Sequence, residues 1–115
     1  MAQKTIALLG ATGQSGKAFL ETVNLEEFTI RALVRNKAKA SHFDNRITVI
    51  EGDAMNRESI HKLVKGADVV VSLLGHVSGS PAILQTVAMN HIIAAMKAHY
   101  VKRLFTLTGA GVSMP

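Results

Sequence analysis

The stretch Thr5-Ile6-Ala7-Leu8-Leu9-Gly10-Ala11-Thr12-Gly13-Gln14-Ser15-Gly16 passes from an apolar run through a glycine-spaced loop, and Ala18-Phe19-Leu20 then continues with helical character. Strand, glycine loop, helix is the order that a nucleotide-phosphate site requires. Glycine admits torsions that a Cβ forbids and lets a ligand approach the main chain. A helix start offers unpaired N–H groups and a partial positive charge to an anion. The spacing is G-x-x-G-x-x-G, a variant of the G-x-G-x-x-G dinucleotide fingerprint, and it stands where that fingerprint belongs, at the first strand-to-helix junction.

Outward from this loop, short apolar runs rich in β-branched residues alternate with helical segments. Such runs, nearly free of charge, are the pattern of buried parallel strands. The pattern predicts strands over Thr5–Leu9, Thr29–Val34, Ile47–Ile50, Asp68–Leu73 and Arg103–Leu107. It predicts helices near Ser15–Val23, Arg57–Lys65 and Pro81–Ala98, with Arg35 to Lys39 as a loop or short irregular helix. Alternation of this kind implies a doubly wound parallel α/β sheet of Rossmann type. Right-handed crossovers from a central first strand give the order 3-2-1-4-5, with ligand sites at the carboxyl ends of the strands.

Local chemistry marks the helix limits. Asn56 is suited to cap a helix beginning at Arg57, with Glu58 in its first turn and Gly66 in the left-handed position that ends it. Ser80-Pro81 supplies a cap and a first-turn proline to the long helix, which carries Leu84, Val87, Ala88, Ile92 and Ala95 at three- and four-residue steps.

The 115 residues fit one domain, and the 13 Lys and Arg against 8 Asp and Glu leave a basic balance. With no basic block, four Phe, one Tyr and no Trp, nucleic acid is not the expected partner. The absence of cysteine excludes disulfides, thiolate catalysis and Cys-ligated metal, and fits a reducing, cytoplasmic setting. No apolar run approaches the ~20 residues of a membrane span. No metal site is expected.

The residue after the second strand decides cofactor choice, because a carboxylate there accepts from a ribose 2′-OH and repels a 2′-phosphate. Leu33-Val34-Arg35-Asn36-Lys37 carries no carboxylate. The Arg35 guanidinium is suited to fork onto a phosphate, with Lys37 or Lys39 adding positive potential, so NADPH is favoured over NADH. The competing reading is a solvated arginine at a strand end. Asp53, after the third strand, either accepts from the adenine amino group or is a turn aspartate bonding its own backbone. Leu73-Leu74-Gly75-His76 follows the fourth strand, where the nicotinamide half belongs. Gly75 permits close approach there, and His76 is either a site residue or a loop histidine. Thr108, at the end of the fifth strand, is a candidate hydrogen-bonding residue or ordinary punctuation with Gly109. Asn90, on the long helix, either pins a nearby loop or stands on its surface. His42, His61, His91 and His99 form no ligand constellation in the sequence.

Taken together, the Gly10–Gly16 loop, Leu33-Val34-Arg35, Gly52-Asp53, Leu73-Leu74-Gly75, Asn90 and Ala94-Ala95-Met96-Lys97-Ala98-His99 resemble the atypical short-chain dehydrogenase/reductases. The likeness is to the NAD(P)H-binding, NmrA-like members and to the flavin reductase/biliverdin reductase B type, over nearly the whole chain. The resemblance implies that Gly10, Thr12, Gly13, Gln14, Ser15 and Gly16 surround a pyrophosphate and that Arg35 meets the 2′-phosphate. It implies that Asp53 and Ala54 flank adenine, and that Leu74 and Gly75 line the path to nicotinamide. Residues 1–115 would then be an NAD(P)-binding domain, the N-terminal part of a longer family domain. Hydride transfer to a flavin, quinone or similar planar acceptor is the implied activity. A non-catalytic NAD(P) sensor with a regulatory protein partner is the alternative.

Two departures bear on that choice. Gly109 stands where such reductases often carry a catalytic serine, and no Tyr-x-x-x-Lys pair exists, Tyr100 being the only tyrosine. A fifth strand left at the edge of the sheet would also favour pairing into a homo-oligomer.

Overall fold

In the computed structural model, residues 4–73 and 82–106 are described. Five strands, β1 (Lys4–Leu9), β2 (Phe28–Val34), β3 (Thr48–Glu51), β4 (Val69–Ser72) and β5 (Leu104–Thr106), form one sheet. The helices are α1 (Gln14–Thr22), α2 (Arg57–Val64) and α3 (Ala82–Ala98), with a short 3-10 turn over Lys37–Ala40. The strand order is β3-β2-β1-β4-β5 and every pairing is parallel, as the alternation predicts. The segment Arg35 to Lys39 thus becomes a loop that closes into the 3-10 turn.

Element limits shift by a residue or two from the sequence expectation, and the ladder shows why. The amides of Asp68 and Leu73 donate to the Thr5 and Leu9 carbonyls at 2.8 and 2.9 Å, so bonding to β1 spans Asp68 to Leu73 although β4 itself is shorter. Ile47 instead closes a turn, its amide donating to the Asp44 carbonyl at 2.9 Å.

The sheet separates two apolar layers. On one face Ala7, Leu9, Leu33 and Val70 pack against Ile60, Leu63 and Val64 of α2 and Ile92, Ala95 and Met96 of α3. On the other, Ile6, Leu8, Ala32, Val34 and Val71 meet Phe19 and Leu20 of α1 and Ala40 of the 3-10 turn. Alternate residues of β1 therefore serve opposite layers, and both faces of the central strand are buried. Of the predicted α3 stripe, Ala88, Ile92 and Ala95 are buried and Val87 half-buried, while the Leu84 side chain and Ser80-Pro81 lie outside the described residues.

Helix α2 is bounded as its sequence requires. The Asn56 side chain accepts from the Ser59 amide at 2.9 Å, and Gly66 adopts φ +78° just beyond the helix. From β2, Arg31 reaches the far end, its Nη1 donating to the carbonyls of Leu63 at 2.9 Å and Lys65 at 2.7 Å. A cation on the orphan carbonyls of a helix C-terminus satisfies both hydrogen bonding and the helix dipole. Among the described residues, no helix is long and apolar enough to cross a membrane.

Candidate functional site

The strand register levels the carboxyl ends. Leu9 stands beside Leu33 on one side and Ser72 on the other, Leu33 beside Ile50, and Val34 beside Glu51. The Gly10–Gly16 loop, Arg35 and the Gly52-Asp53 segment therefore leave the sheet along one edge. Strand order reverses at β1, the position at which α/β sheets open a crevice for ligands.

Three glycines build the loop in three ways. Gly10 has φ +80°, a conformation that L side chains rarely adopt, and its carbonyl accepts from the Gly13 amide at 3.2 Å to close the turn. Gly16 is buried, and a Cβ there would strike the Gly10 carbonyl oxygen and come within 2.6 Å of the Ala11 Cα. Gly13 is different. An ideal Cβ on it meets nothing nearer than the Gly10 oxygen at 3.7 Å, and its φ of −81° suits any residue. The protein itself has no steric need for glycine at 13, so that position is open to a ligand.

Gly13 is also the N-cap of α1, and no side chain caps the helix. Its carbonyl accepts from the Lys17 amide at 2.9 Å, the first helical bond, so the helix geometry gives no partner to the amides of Gln14, Ser15 and Gly16. Thr12, Gln14 and Ser15 are exposed around them. No acidic side chain occupies the first turn. The uncapped amides, the φ of Gly10 and the open space at Gly13 together fit a pyrophosphate.

Arg35 is exposed directly after β2, and Lys37 and Lys39 are exposed in the 3-10 turn beyond it. The Asn36 side chain caps that turn, accepting from the Ala38 amide at 3.0 Å. Sequence reading missed one neighbour. The Glu51 carboxylate accepts from the Lys37 amide at 3.2 Å, so β3 delivers a carboxylate to the segment that has none of its own.

On the adenine side, Asp53 Oδ1 accepts from the Met55 amide at 2.9 Å, which is the turn geometry, and leaves Oδ2. The Asp53 amide donates to Ser59 Oγ at 3.3 Å, and its carbonyl accepts from the Asn56 amide at 2.8 Å. Gly52 permits this packing, since a Cβ there would stand 2.8 Å from that of Ser59. Ala54 is partly buried against the α2–α3 layer. Leu74, Gly75, His76, Thr108 and Gly109 lie outside the described residues. Asn90 is exposed on α3.

The histidines are not all isolated. His61 Nδ1 and His99 Nε2 lie 3.2 Å apart across α2 and the end of α3, and His61 Nε2 is buried without a partner. Burial, with the repulsion of His99, Arg57 and His91, holds the His61 pKa below its ordinary value. Among the described residues, no group of three or more His, Asp or Glu is placed to hold a metal ion.

Known proteins agree with this geometry. The chain is 36% identical to a phenylcoumaran benzylic ether reductase of Populus trichocarpa and 34% identical to an isoflavone reductase-like protein of Olea europaea. Each alignment covers 91% of this chain and 35% of the relative, so the chain spans about a third of the length of the curated proteins it matches. Among solved structures, a putative epimerase of Bacteroides thetaiotaomicron superposes with a TM-score of 0.76 at 28% identity, over 96% of this chain and 49% of its own. A short-chain dehydrogenase/reductase of Veillonella parvula in complex with NADP gives 0.68 at 27% identity, over 96% and 49%. The family model described as NAD(P)H-binding matches residues 10–115, from the first glycine of the loop onward. On its sequence, its strand order and its glycine loop, the chain belongs to the NAD(P)H-binding family of Rossmann-type domains.

Proposed function

We propose that residues 1–115 are the NADPH-binding, N-terminal part of an oxidoreductase that transfers hydride to a flavin, a quinone or a similar planar acceptor. The observation that carries this reading is the uncapped N-terminus of α1 behind the open Gly13, with Arg35 leaving the adjacent strand. The loop amides would hold the pyrophosphate, and Arg35 with Lys37 or Lys39 the 2′-phosphate. Asp53 and Ala54 would flank adenine, and Leu74, Gly75 and Thr108 would stand toward nicotinamide. When bound, NADPH supplies the hydride; the chain's part is to orient the cofactor by its phosphates and ribose.

The NADP complex of the Veillonella parvula neighbour supports the choice of cofactor, and the reductase names of the plant relatives support the class of reaction. A planar acceptor places less demand on protein acid–base groups. A cytoplasmic location accords with the absence of cysteine.

The second reading is a non-catalytic NAD(P) sensor read by a protein partner, and Gly109 in place of a catalytic serine favours it. Titration of the full-length protein with NADPH and NADH, followed by cofactor fluorescence, tests the binding. NADPH should bind tighter, and Arg35→Ala should erase the difference; equal affinities in the unaltered protein would refute the 2′-phosphate assignment. NADPH consumption with flavin or quinone acceptors then separates the two readings. Binding without turnover supports the sensor.

A further inference from the structure

Glu51 and Arg35 are far apart in sequence, yet parallel pairing of β3 on β2 sets Glu51 beside Val34, the residue that precedes Arg35. The Gly52 amide, next in the chain, donates to the Val34 carbonyl at 2.8 Å, so the pairing continues past the carboxylate. Glu51 Oε2 accepts from the Lys37 amide at 3.2 Å, and the Lys39 amide donates to the Asn36 carbonyl at 3.0 Å. The turn that starts at Arg35 is thus held from two sides, by its own Asn36 and by a carboxylate from the neighbouring strand. Arg35, Lys37, Lys39 and Glu51 are all exposed.

Two effects follow from a carboxylate in this place, and they are separable. As an acceptor, Glu51 fixes the backbone at Lys37 and with it the directions in which Arg35 and Lys37 leave the turn. As an anion, it lowers the positive potential that Arg35, Lys37 and Lys39 offer to a phosphate dianion. Oε1, which makes no bond to the turn, is available to accept from a ribose hydroxyl. Dinucleotide domains that take a 2′-hydroxyl use a carboxylate for this at the end of the second strand. In this chain arginine occupies that place, and the carboxylate arrives from the third strand.

We infer that Glu51 is a specificity-determining residue, which restrains the preference of the Arg35 site for a 2′-phosphate and leaves the domain able to take both NADPH and NADH. This rests on the reading of Arg35 proposed above. The shared requirement is an adenosine ribose at the turn; the added content is that its discrimination is set by two opposed charges instead of by Arg35 alone.

The test is cofactor titration of full-length protein carrying Glu51→Gln, Glu51→Ala or Arg35→Ala. Glutamine keeps an oxygen for the Lys37 amide and removes the charge. It should tighten NADPH binding and weaken NADH binding, raising the NADH-to-NADPH ratio of Kd about three- to ten-fold, with the gain for NADPH shrinking as salt screens it. Glu51→Ala, which also releases the turn, should move the ratio in the same direction. Both substitutions are at an exposed position, and an unchanged thermal midpoint shows that the fold is intact. If neither variant raises the ratio while Arg35→Ala still collapses it, Glu51 has no such role and the Arg35 assignment stands. If Arg35→Ala leaves the ratio unchanged, both fall.

Discussion

Gly16 packs so closely on Ala11 that a Cβ added to it would lie 2.6 Å from the Ala11 Cα and 2.7 Å from its carbonyl carbon. These are backbone atoms, which cannot swing aside as the end of a side chain can. The first turn of α1 is therefore pressed onto the loop that follows β1. Gly16→Ala should destabilise the domain by about 1–3 kcal/mol, the usual cost of overpacking a tight site. Chemical denaturation checks this, and an unchanged midpoint would mean that α1 can slide without penalty.

Gly13→Ala should behave in the opposite way. The open space and ordinary torsions at Gly13 predict a change in stability within about 0.5 kcal/mol. The methyl group would instead stand where a pyrophosphate approaches the uncapped helix, and dinucleotide affinity should fall at least about ten-fold for NADPH and NADH alike. That is a loss of roughly 1.4 kcal/mol. Stability loss without affinity loss would reassign Gly13 to the fold.

The His61–His99 contact makes the packing of α2 on α3 sensitive to acid. Of the two tautomeric arrangements, His61 Nδ1–H donating to His99 Nε2 leaves a bare nitrogen in the buried position; the reverse would bury an unpaired N–H, at greater cost. Protonating His61 also adds charge beside His99, Arg57 and His91. Its folded pKa lies below the unfolded value, so the folded state binds fewer protons. The contribution to stability is present above the unfolded pKa of about 6.5 and is lost as pH falls through and below it. The thermal midpoint should drop between pH 7.5 and 5.5, and His61→Leu should flatten that slope. Equal slopes in both proteins would remove His61 as the cause.

What could be read from the sequence was local. The strand–loop–helix order at Gly10–Gly16, the Asn56 cap and the left-handed Gly66 each depend on residues within one turn, and each is found where its neighbours require it. The strand order followed from alternation and handedness, which are rules about crossovers and need no side-chain detail. Glu51 was not legible as a neighbour of Arg35, because the two meet only through the register of β3 on β2. The His61–His99 contact and the Arg31 cap on α2 join segments 38 and 34 residues apart and leave no periodic signal. Gly10, Gly13 and Gly16 look alike in a spacing pattern and differ only once the surrounding atoms are placed.

Asp53 allows the two readings of its carboxylate to be separated. Oδ1 is committed to the Met55 amide, and the adjoining backbone is tied to Ser59 and Asn56, so the turn needs one acceptor oxygen only. Asp53→Asn supplies that oxygen and replaces the other by an amide that donates. Stability should change by less than about 0.5 kcal/mol. If Oδ2 accepts from the adenine amino group, the variant sets donor against donor, and NADPH and NADH should both bind roughly ten- to a hundred-fold more weakly, in keeping with loss of one hydrogen bond to a charged group. The NADPH-to-NADH ratio should not move, since adenine is common to both. Unchanged affinity with unchanged stability would leave Asp53 as a turn residue alone, whereas Asp53→Ala, which removes the turn acceptor too, should lower stability under either reading.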